Sequence, residues 1–410
     1  MISLPEEFLQ STKSLFGEEL FARYLDAFNE PAPVSIRINP YKMDDIAELT
    51  ALSPCSAVPW CRYGWYLSER PEFTFDPLFH AGCYYVQEAA SMFLAQVMQQ
   101  YVEDDVLMLD LCAAPGGKST CACSFLSEDS FLVCNEPIHN RANILFENVT
   151  KFGAPNTVVT NNYPHDFRKA GTFDVILADV PCSGEGMFRK DEATIAEWSL
   201  QNVEKCWRLQ REIISSVWGN LKEGGLLIYS TCTFNTKENE ENVRWICGEL
   251  GADMLSVKVP MEWGITGSLL KDFEEPVYRF IPGVTKGEGL FMAVMRKHGG
   301  EGKKSGIQKP AERLNLKGLK VITAESLGKS SSIAEALSAT VNNGSYPTVD
   351  VSLDMALAYL SREAIVLPKD TPRGQMLITY KGYALGFVKN IGNRANNLYP
   401  QFWAIRSRRK

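Results

Sequence analysis

Two cysteines stand where packing alone does not call for them: Cys182 in ADVPCSGEGMFRKD, residues 178–191, and Cys232 in YSTCTFNTKENEENV, residues 229–243. Each follows a short apolar run, DVILAD at 174–179 and GLLIYS at 225–230, and so is predicted to sit just past the carboxyl end of a buried strand. Ligands of open α/β sheets bind at those ends, so Asp179, Cys182 and Cys232 are expected around one crevice. A lone cysteine after proline is more often a small buried hydrophobe. Here Asp, Pro, Cys, Ser and Gly share one loop and a second cysteine follows one strand later, which favours nucleophilic chemistry over packing. The acidic run from Glu238 to Glu241 reads as the first turn of a helix, favoured there by the macrodipole.

A third segment, DLCAAPGGKST at 110–120, lies where the run VLMLDL at 106–111 gives way to a helical pattern. Such a turn exposes backbone N–H groups at a helix N-terminus, and Gly116 and Gly117 let a ligand approach the main chain closely. The spacing is neither GxGxxG nor a P-loop. Glu136 ends the next strand candidate, FLVCNE at 131–136, where a carboxylate can accept hydrogen bonds from a ribose diol. An acid after a strand is by itself simply solvated; the glycine turn beside it tips the reading toward a cofactor.

The elements that must hold these loops are strands alternating with amphipathic helices. TVVTNN at 157–162 joins the four runs above, helices are predicted over 139–152 and 201–221, and FMAVMR at 291–296 supplies a late strand. This alternation predicts a parallel α/β sheet with helices on both faces. Before it, residues 1–75 carry a helical pattern from 6 to 29, a short strand VSIRIN at 34–39 and Pro-, Trp- and Tyr-rich turns. After it, GGEGKKSGIQKP at 299–310 reads as a linker, and the tail alternates polarity between Gly and Asn turns as a small β-rich module does. At 410 residues the chain exceeds a single core. The expected units are 1–75, 76–298, a linker and connecting segment 299–345, and 346–410.

With 45% hydrophobic and 22% charged residues, and no apolar run of membrane-spanning length, a globular protein without a membrane partner is expected. The start lacks signal-peptide character, so a cytoplasmic location is expected. Eleven cysteines, an odd number with no CxxC pair, argue against a disulfide scaffold. Cys121 and Cys123 lack partners at metal-ligand spacing, so no metal site is expected. The net charge of -7 is uneven: residues 301–410 hold 17 Lys and Arg against 8 Asp and Glu, a balance of +9, leaving -16 for residues 1–300. A basic module on an acidic body suggests a footprint for phosphates, the alternative being a solvated basic face.

The two cysteine loops resemble those of the RNA 5-methylcytosine methyltransferases of the Nol/Nop/Sun family. The resemblance extends in order through HAGCYYVQEAASM at 80–92, the CAAPGGK turn, the loop from Asp179 to Gly184, Thr231-Cys232 and YRFIPGVTKGEGLFMAVMRK at 278–297. The tail with NNLYPQFWAIR resembles the PUA-like region of the bacterial RsmF (YebU)-like branch, whose members modify small-subunit (16S) ribosomal RNA. The resemblance implies a Rossmann-like methyltransferase domain, a small N-terminal α+β domain and a C-terminal β-rich PUA-like RNA-binding domain. It implies S-adenosyl-L-methionine as cofactor and RNA, ribosomal RNA or the small subunit, as partner, with no DNA and a monomeric chain.

Carried over by position, Cys112, Ala113, Ala114, Pro115, Gly116, Gly117 and Lys118 match the cofactor loop and Glu136 the ribose-binding acid. Asp179 matches the acid beside both cofactor and target base, Cys232 the nucleophile, and Cys182 the cysteine associated with product release. Two positions depart from the pattern: Asn161 and Asn162 stand where an acid often contacts adenine, and Gly283 follows Pro282 where His is common. The alternatives are a transfer-RNA cytosine methyltransferase, a non-catalytic ribosome-assembly factor, and a DNA cytosine methyltransferase. The last places its nucleophile in the Pro-Cys loop, which Thr231-Cys232 disfavours. Tyr399, Phe402 and Trp403 are candidates either for stacking bases or for the core of the last module.

Overall fold

The computed structural model describes residues 3–169, 172–299, 309–323 and 346–407. The first helix, Glu6–Asp26, is broken at Gly17 (φ 73°). It precedes an antiparallel sheet of β1 (Val34–Ile38), β2 (Pro54–Ala57), β3 (Gly64–Leu67) and β4 (Tyr84–Val86), in the order β2-β3-β1-β4. The helix packs on the loops of the next unit. Phe8 meets Phe188 and Trp198 edge-on at centroid distances of 4.9 and 5.4 Å, and Phe16 and Tyr24 both meet Phe234.

The central sheet is built on β5 (Leu107–Asp110), β6 (Phe131–Asn135), β7 (Thr157–Thr160), β8 (Phe173–Asp179) and β9 (Leu221–Thr231). These five are parallel, in the order β9-β8-β5-β6-β7. Helices cover both faces, so the strands read as continuous apolar runs rather than as alternation. The chain winds outward from β5 to β7 and returns at β8, so the strand order reverses between β5 and β8, where such sheets bind ligands.

The sheet is mixed rather than wholly parallel. After β10 (Ala252–Met254) and β11 (Val277–Phe280), the late strand β12 (Leu290–Lys297) runs antiparallel to β9, β10 and β11. A nine-residue connection from β11 reverses the chain, whereas a parallel crossover needs a dozen residues or more.

The described part of the connecting segment returns to the sheet. Val321–Ile322, β13, pairs antiparallel with β7, and Arg313 is ion-paired with Asp174. The rest of the expected linker, residues 300–308 and 324–345, lies outside the described residues. The last sheet follows the order β14 (Thr348–Asp350), β15 (Gly374–Tyr380), β16 (Tyr383–Asn390), β17 (Ala395–Asn397), with the helix Leu353–Leu360 packed on it.

This module shares one apolar core with the first sheet: Ile36, Leu78 and Tyr84 cluster with Tyr359, Ile378 and Trp403. Tyr383 donates to Glu48 across the same boundary (2.6 Å). Tyr399 and Trp403 are buried in that core, which leaves only Phe402, 48% exposed, with a ring face free for stacking. Among the described residues no helix is long and apolar enough to cross a membrane.

Candidate active site

β5 ends at Asp110, and the turn 112–116 leads into the helix Gly117–Cys123. Gly116 has φ +109°, a conformation L side chains rarely adopt, and a Cβ there would lie 3.2 Å from Leu145. Three side chains fix the turn through its carbonyls: Arg141 donates to Ala114 O (3.0 Å), and Asn148 (2.8 Å) and Tyr85 (3.3 Å) donate to Pro115 O. From behind, the buried Arg37 of β1 donates to Thr120, Ser124 and Gln87, tying the first sheet to the helix Gly117–Cys123 and its C-cap. A cavity of about 200 Å³ opens between the turn and residues 85–88, lined also by Asp110, Lys118 and Asp179. Cys112, Ala113, Ala114, Pro115 and Gly117 line it; Gly116 and Glu136 do not.

The acids around the turn are not simply solvated. Asp110 is fully buried: Oδ2 accepts from Ser119 (2.6 Å) while Oδ1 has no partner. Burial pushes its carboxyl up to about 7, against the pull of the Ser119 bond. Glu136 is also buried. Its Oε1 accepts from Ile138 N (2.9 Å), and its Oε2 lacks a hydrogen bond, with Arg141 Nη2 at 3.7 Å. Asp179, at the end of β8, accepts from Lys118 Nζ on Oδ2 (2.9 Å) and from Ser230 Oγ on Oδ1 (2.6 Å). Burial works against the charge on Lys118, but Asp179 outweighs it and the ammonium is favoured. Burial pushes the Cys112 thiol well up, so this cysteine keeps its proton.

The two cysteines meet across the crevice. Cys182 Sγ lies 3.2 Å from Cys232 Sγ, and Cys232 N donates to Cys182 Sγ at 3.3 Å. The bond to the Cys232 sulfur, then burial, raises the Cys182 thiol well above its ordinary value. A thiol raised in this way keeps its proton, which Cys182 can offer across the contact to the Cys232 sulfur.

Several contacts lock the loops in this register. Glu185 Oε2 accepts from Phe234 N (2.7 Å) and Asn235 N (3.0 Å), and its Oε1 accepts from Trp198 Nε1 (3.0 Å). Gly186 N donates to Cys232 O (2.7 Å). Ser183 and Thr233 join their hydroxyls at 2.9 Å.

The acidic run differs from its expected reading. Glu240 and Glu241 do open the helix Glu240–Trp245, but Glu238 and Glu240 are fully buried. Glu240 pairs with the buried Arg279 (2.8 Å), and Glu238 sits behind Cys182. Asp110, Glu185, Ser230 and Glu238 were not singled out from sequence. Glu185 alone carried a local signal, as the acid inside the Cys182 loop.

The two departures also have physical reasons. Asn161 donates to Glu136 O and Pro137 O and ties down the turn after β6, whereas Asn162 exchanges bonds with the Lys320 backbone and so holds β13 on the sheet. At Gly283 a Cβ would lie 2.3 Å from Arg23 O, because the first helix passes there and leaves no room for a side chain. Among the described residues, no three His, Cys, Asp or Glu side chains are grouped to hold a metal ion.

Family models match the chain in three consecutive stretches. They are the N-terminal domain of 16S rRNA methyltransferase RsmF at residues 4–89, 16S rRNA methyltransferase RsmB/F at 96–296, and the methyltransferase RsmF PUA domain at 346–405. Ribosomal RNA small subunit methyltransferase F of Pectobacterium atrosepticum is 34% identical over 311 residues, covering 72% of this chain and 63% of the relative. The same-named protein of Cronobacter sakazakii is 33% identical, covering 72% and 64%. The chain thus spans a little under two thirds of the length of these relatives.

Among solved structures, a methyltransferase homolog protein from Pyrococcus horikoshii superposes with a TM-score of 0.59 at 26% identity, over 72% of this chain and all of that one. NSun6 from Pyrococcus horikoshii with SFG gives 0.62 at 22% identity, over 73% and 100%, a likeness of fold. With an N-terminal, a catalytic and a PUA model of one group matched in chain order, and relatives of that name at about a third identity, the chain belongs to the RsmB/F methyltransferase family.

Proposed function

We propose that this chain is an S-adenosylmethionine-dependent methyltransferase of carbon 5 of cytosine in small-subunit ribosomal RNA, working in the cytoplasm with Cys232 as its covalent nucleophile. The observation that carries the reading is the pair of thiols 3.2 Å apart on the loops after β8 and β9, next to Asp179, which Lys118 reaches from the helix after β5 across the switch point of the sheet. The names of the relatives, which are small-subunit ribosomal RNA methyltransferases, support the substrate class.

The residues present suit the cofactor. The turn 112–118 offers backbone N–H groups, and the unpartnered oxygens of Asp110 and Glu136 are acceptors awaiting donors, such as an ammonium group and a ribose hydroxyl. S-adenosylmethionine bound there supplies an electrophilic methyl group.

Carbon 5 of cytosine is a poor nucleophile until a thiolate adds at carbon 6. Cys232 forms that S–C bond, and the ring becomes an enamine with electron density on carbon 5. Asp179, anchored by Lys118 and Ser230, is placed to hold the exocyclic amine and ring nitrogen 3 as positive charge develops there. After methyl transfer a base takes the carbon 5 proton and the S–C bond breaks. Cys182, still a thiol, then stabilises the departing Cys232 thiolate by donating a hydrogen bond to it. The cytosine must be unpaired or flipped to reach the thiolate, and the PUA-like module is the candidate grip on the surrounding RNA.

The test uses purified protein, labelled S-adenosylmethionine, and 16S ribosomal RNA or small subunits, with transfer RNA as a comparison and bisulfite sequencing as readout. Cys232→Ala should lose turnover and form no covalent adduct, whereas Cys182→Ala should accumulate a denaturation-resistant protein–RNA complex that requires the cofactor. An adduct in Cys232→Ala with none in Cys182→Ala reverses the roles. Methylation of transfer RNA alone overturns the substrate.

A further inference from the structure

We infer that Glu238 is a positioning residue for the proposed reaction: one buried carboxylate sets Cys182 against Cys232 from behind. The inference rests on the proposed function for its catalytic consequence and on geometry for its substance.

Glu238 is fully buried, and its side chain accepts from three neutral donors. Oε2 accepts from the backbone N of Ser183 (3.0 Å), the residue after Cys182, and from Gln210 Nε2 (2.7 Å). The same Gln210 nitrogen donates to Pro181 O (2.9 Å), the residue before Cys182. Cys182 is thus bracketed on both sides by one carboxylate and one amide. Gln210 cannot turn to present its oxygen instead, because that oxygen accepts from Asn242 Nδ2 (2.8 Å) and Tyr229 OH (3.2 Å).

On its other side, Glu238 Oε1 accepts from Asn235 Nδ2 (2.8 Å), and that nitrogen also reaches Thr233 Oγ1 (3.0 Å), one residue past Cys232. The carboxylate therefore holds the backbone after Cys182 directly and reaches the Thr233 hydroxyl after Cys232 through Asn235, contacting neither sulfur. Its charge has a second effect. The negative Glu238 is among the causes that raise the Cys182 thiol, after the Cys232 bond and burial. Glu238 thus helps keep Cys182 the donor rather than a competing nucleophile.

The titratable groups facing Glu238 are Cys182 and Glu185 from the loop after β8, Cys206 from the helix Leu200–Val217, and Tyr229 from β9. None of these is a cation, so the three neutral hydrogen bonds hold the carboxylate in place.

Two variants separate charge from reach. Glu238→Gln keeps the volume but sets an NH2 group against donors and removes the charge; Glu238→Asp keeps the charge but falls short of Ser183 N. Each is tested at pH 8, after a thermal melt confirms folding. The readouts are kcat and KM for RNA, cofactor affinity by calorimetry, and the iodoacetamide alkylation rate of each cysteine by peptide mass spectrometry.

Expected for both variants is a fall in kcat of tenfold or more, with cofactor affinity unchanged. Cys182 should alkylate several-fold faster in Glu238→Gln and at the wild-type rate in Glu238→Asp. Wild-type kcat in either folded variant overturns the inference, as does a fall in kcat with Cys182 alkylation unchanged in Glu238→Gln, which would mark an unspecific disturbance. If Glu238→Gln does not fold, kcat in Glu238→Asp still decides. If the wild-type enzyme methylates no RNA, the proposed function falls, while the alkylation comparison still judges Glu238.

Discussion

Gly186 offers the most direct test of whether thiol register depends on backbone contact. It lies in the Cys182 loop where that loop crosses the entry to β12, facing Gly289. A Cβ on Gly186 would fall 2.6 Å from Gly289 Cα, 2.7 Å from Gly289 O and 2.8 Å from Cys232 O. All three are backbone atoms, so relief requires a shift of main chain rather than the turn of a side chain. Carbon atoms in contact settle about 3.5–4.0 Å apart, so Gly186→Ala must push two loops apart by roughly 1 Å. The hydrogen bond from Gly186 N to Cys232 O spans the same gap and is stretched or lost.

Overpacking of this kind costs about 1–3 kcal/mol. Each kcal/mol lowers the melting temperature by roughly 2–4 °C for a unit of this size. A misplacement of about 1 Å at the reacting groups costs on the order of a hundredfold in rate, so turnover and adduct formation should both fall by about that factor. Gly184→Ala is the control. Gly184 has φ +76°, but the nearest atom to its would-be Cβ is 3.9 Å away on Thr194. It should lose about 1–2 kcal/mol to the left-handed backbone and leave the rate within a few-fold. Thermal melts and single-turnover methyl transfer separate the two. A Gly186→Ala protein with wild-type melting and wild-type rate would refute the reasoning that backbone contact sets the distance between the thiols.

Two further outcomes follow from burial. Asp110, Glu238 and Glu288 are each pushed up to about 7 by burial, above the ordinary carboxyl values they take when unfolded, so the native state holds more protons between about 4.5 and 7. Their contribution is fully present below that window and lost as pH rises through it, while buried His80, lowered to about 4, works in the opposite direction below 6.5. With three such groups against His80, the melting temperature should rise as pH drops from 7 to 5.5, and a fall across that range contradicts the assignment. Deleting residues 346–410 strips the shared core from Ile36, Leu78 and Tyr84, so the truncated chain should melt earlier and aggregate by size exclusion; unchanged melting would show two separate cores.

The central strands were legible because both their faces are buried, which writes them as uninterrupted apolar runs. The helix predicted over 139–152 forms at His139–Phe152, ended by Gly153 at φ 74°. The direction of β12 was not legible, since polarity pattern carries no sense of strand direction. Nor was β13: two residues held at Lys320 by the amide of Asn162 leave no periodic trace. At the site, residue types announced the thiols and the glycine turn. The buried network of Glu185, Gln210 and Glu238 stayed hidden because Glu238 and Glu240 lie in a stretch that reads as a solvated helix start. Only the fold reveals that Arg279 and the Cys182 loop close over it.

The charge asymmetry also changes meaning once positions are known. Of the basic residues after position 300, Lys309 pairs with Asp129, Arg313 with Asp174, and Lys320 donates to Asn161. These turn toward the acidic body and serve cohesion. The last module, residues 346–410, holds ten basic residues against four acids, a balance of +6. The seven of these basic residues that lie among the described residues are all exposed. Such an excess favours contact with phosphates, and counterion release scales with the number contacted. On the proposed function, RNA recognition then combines this positive module with the shape that the first sheet and the last module present together through their shared core, since +6 of the +9 counted along the chain belongs to that module.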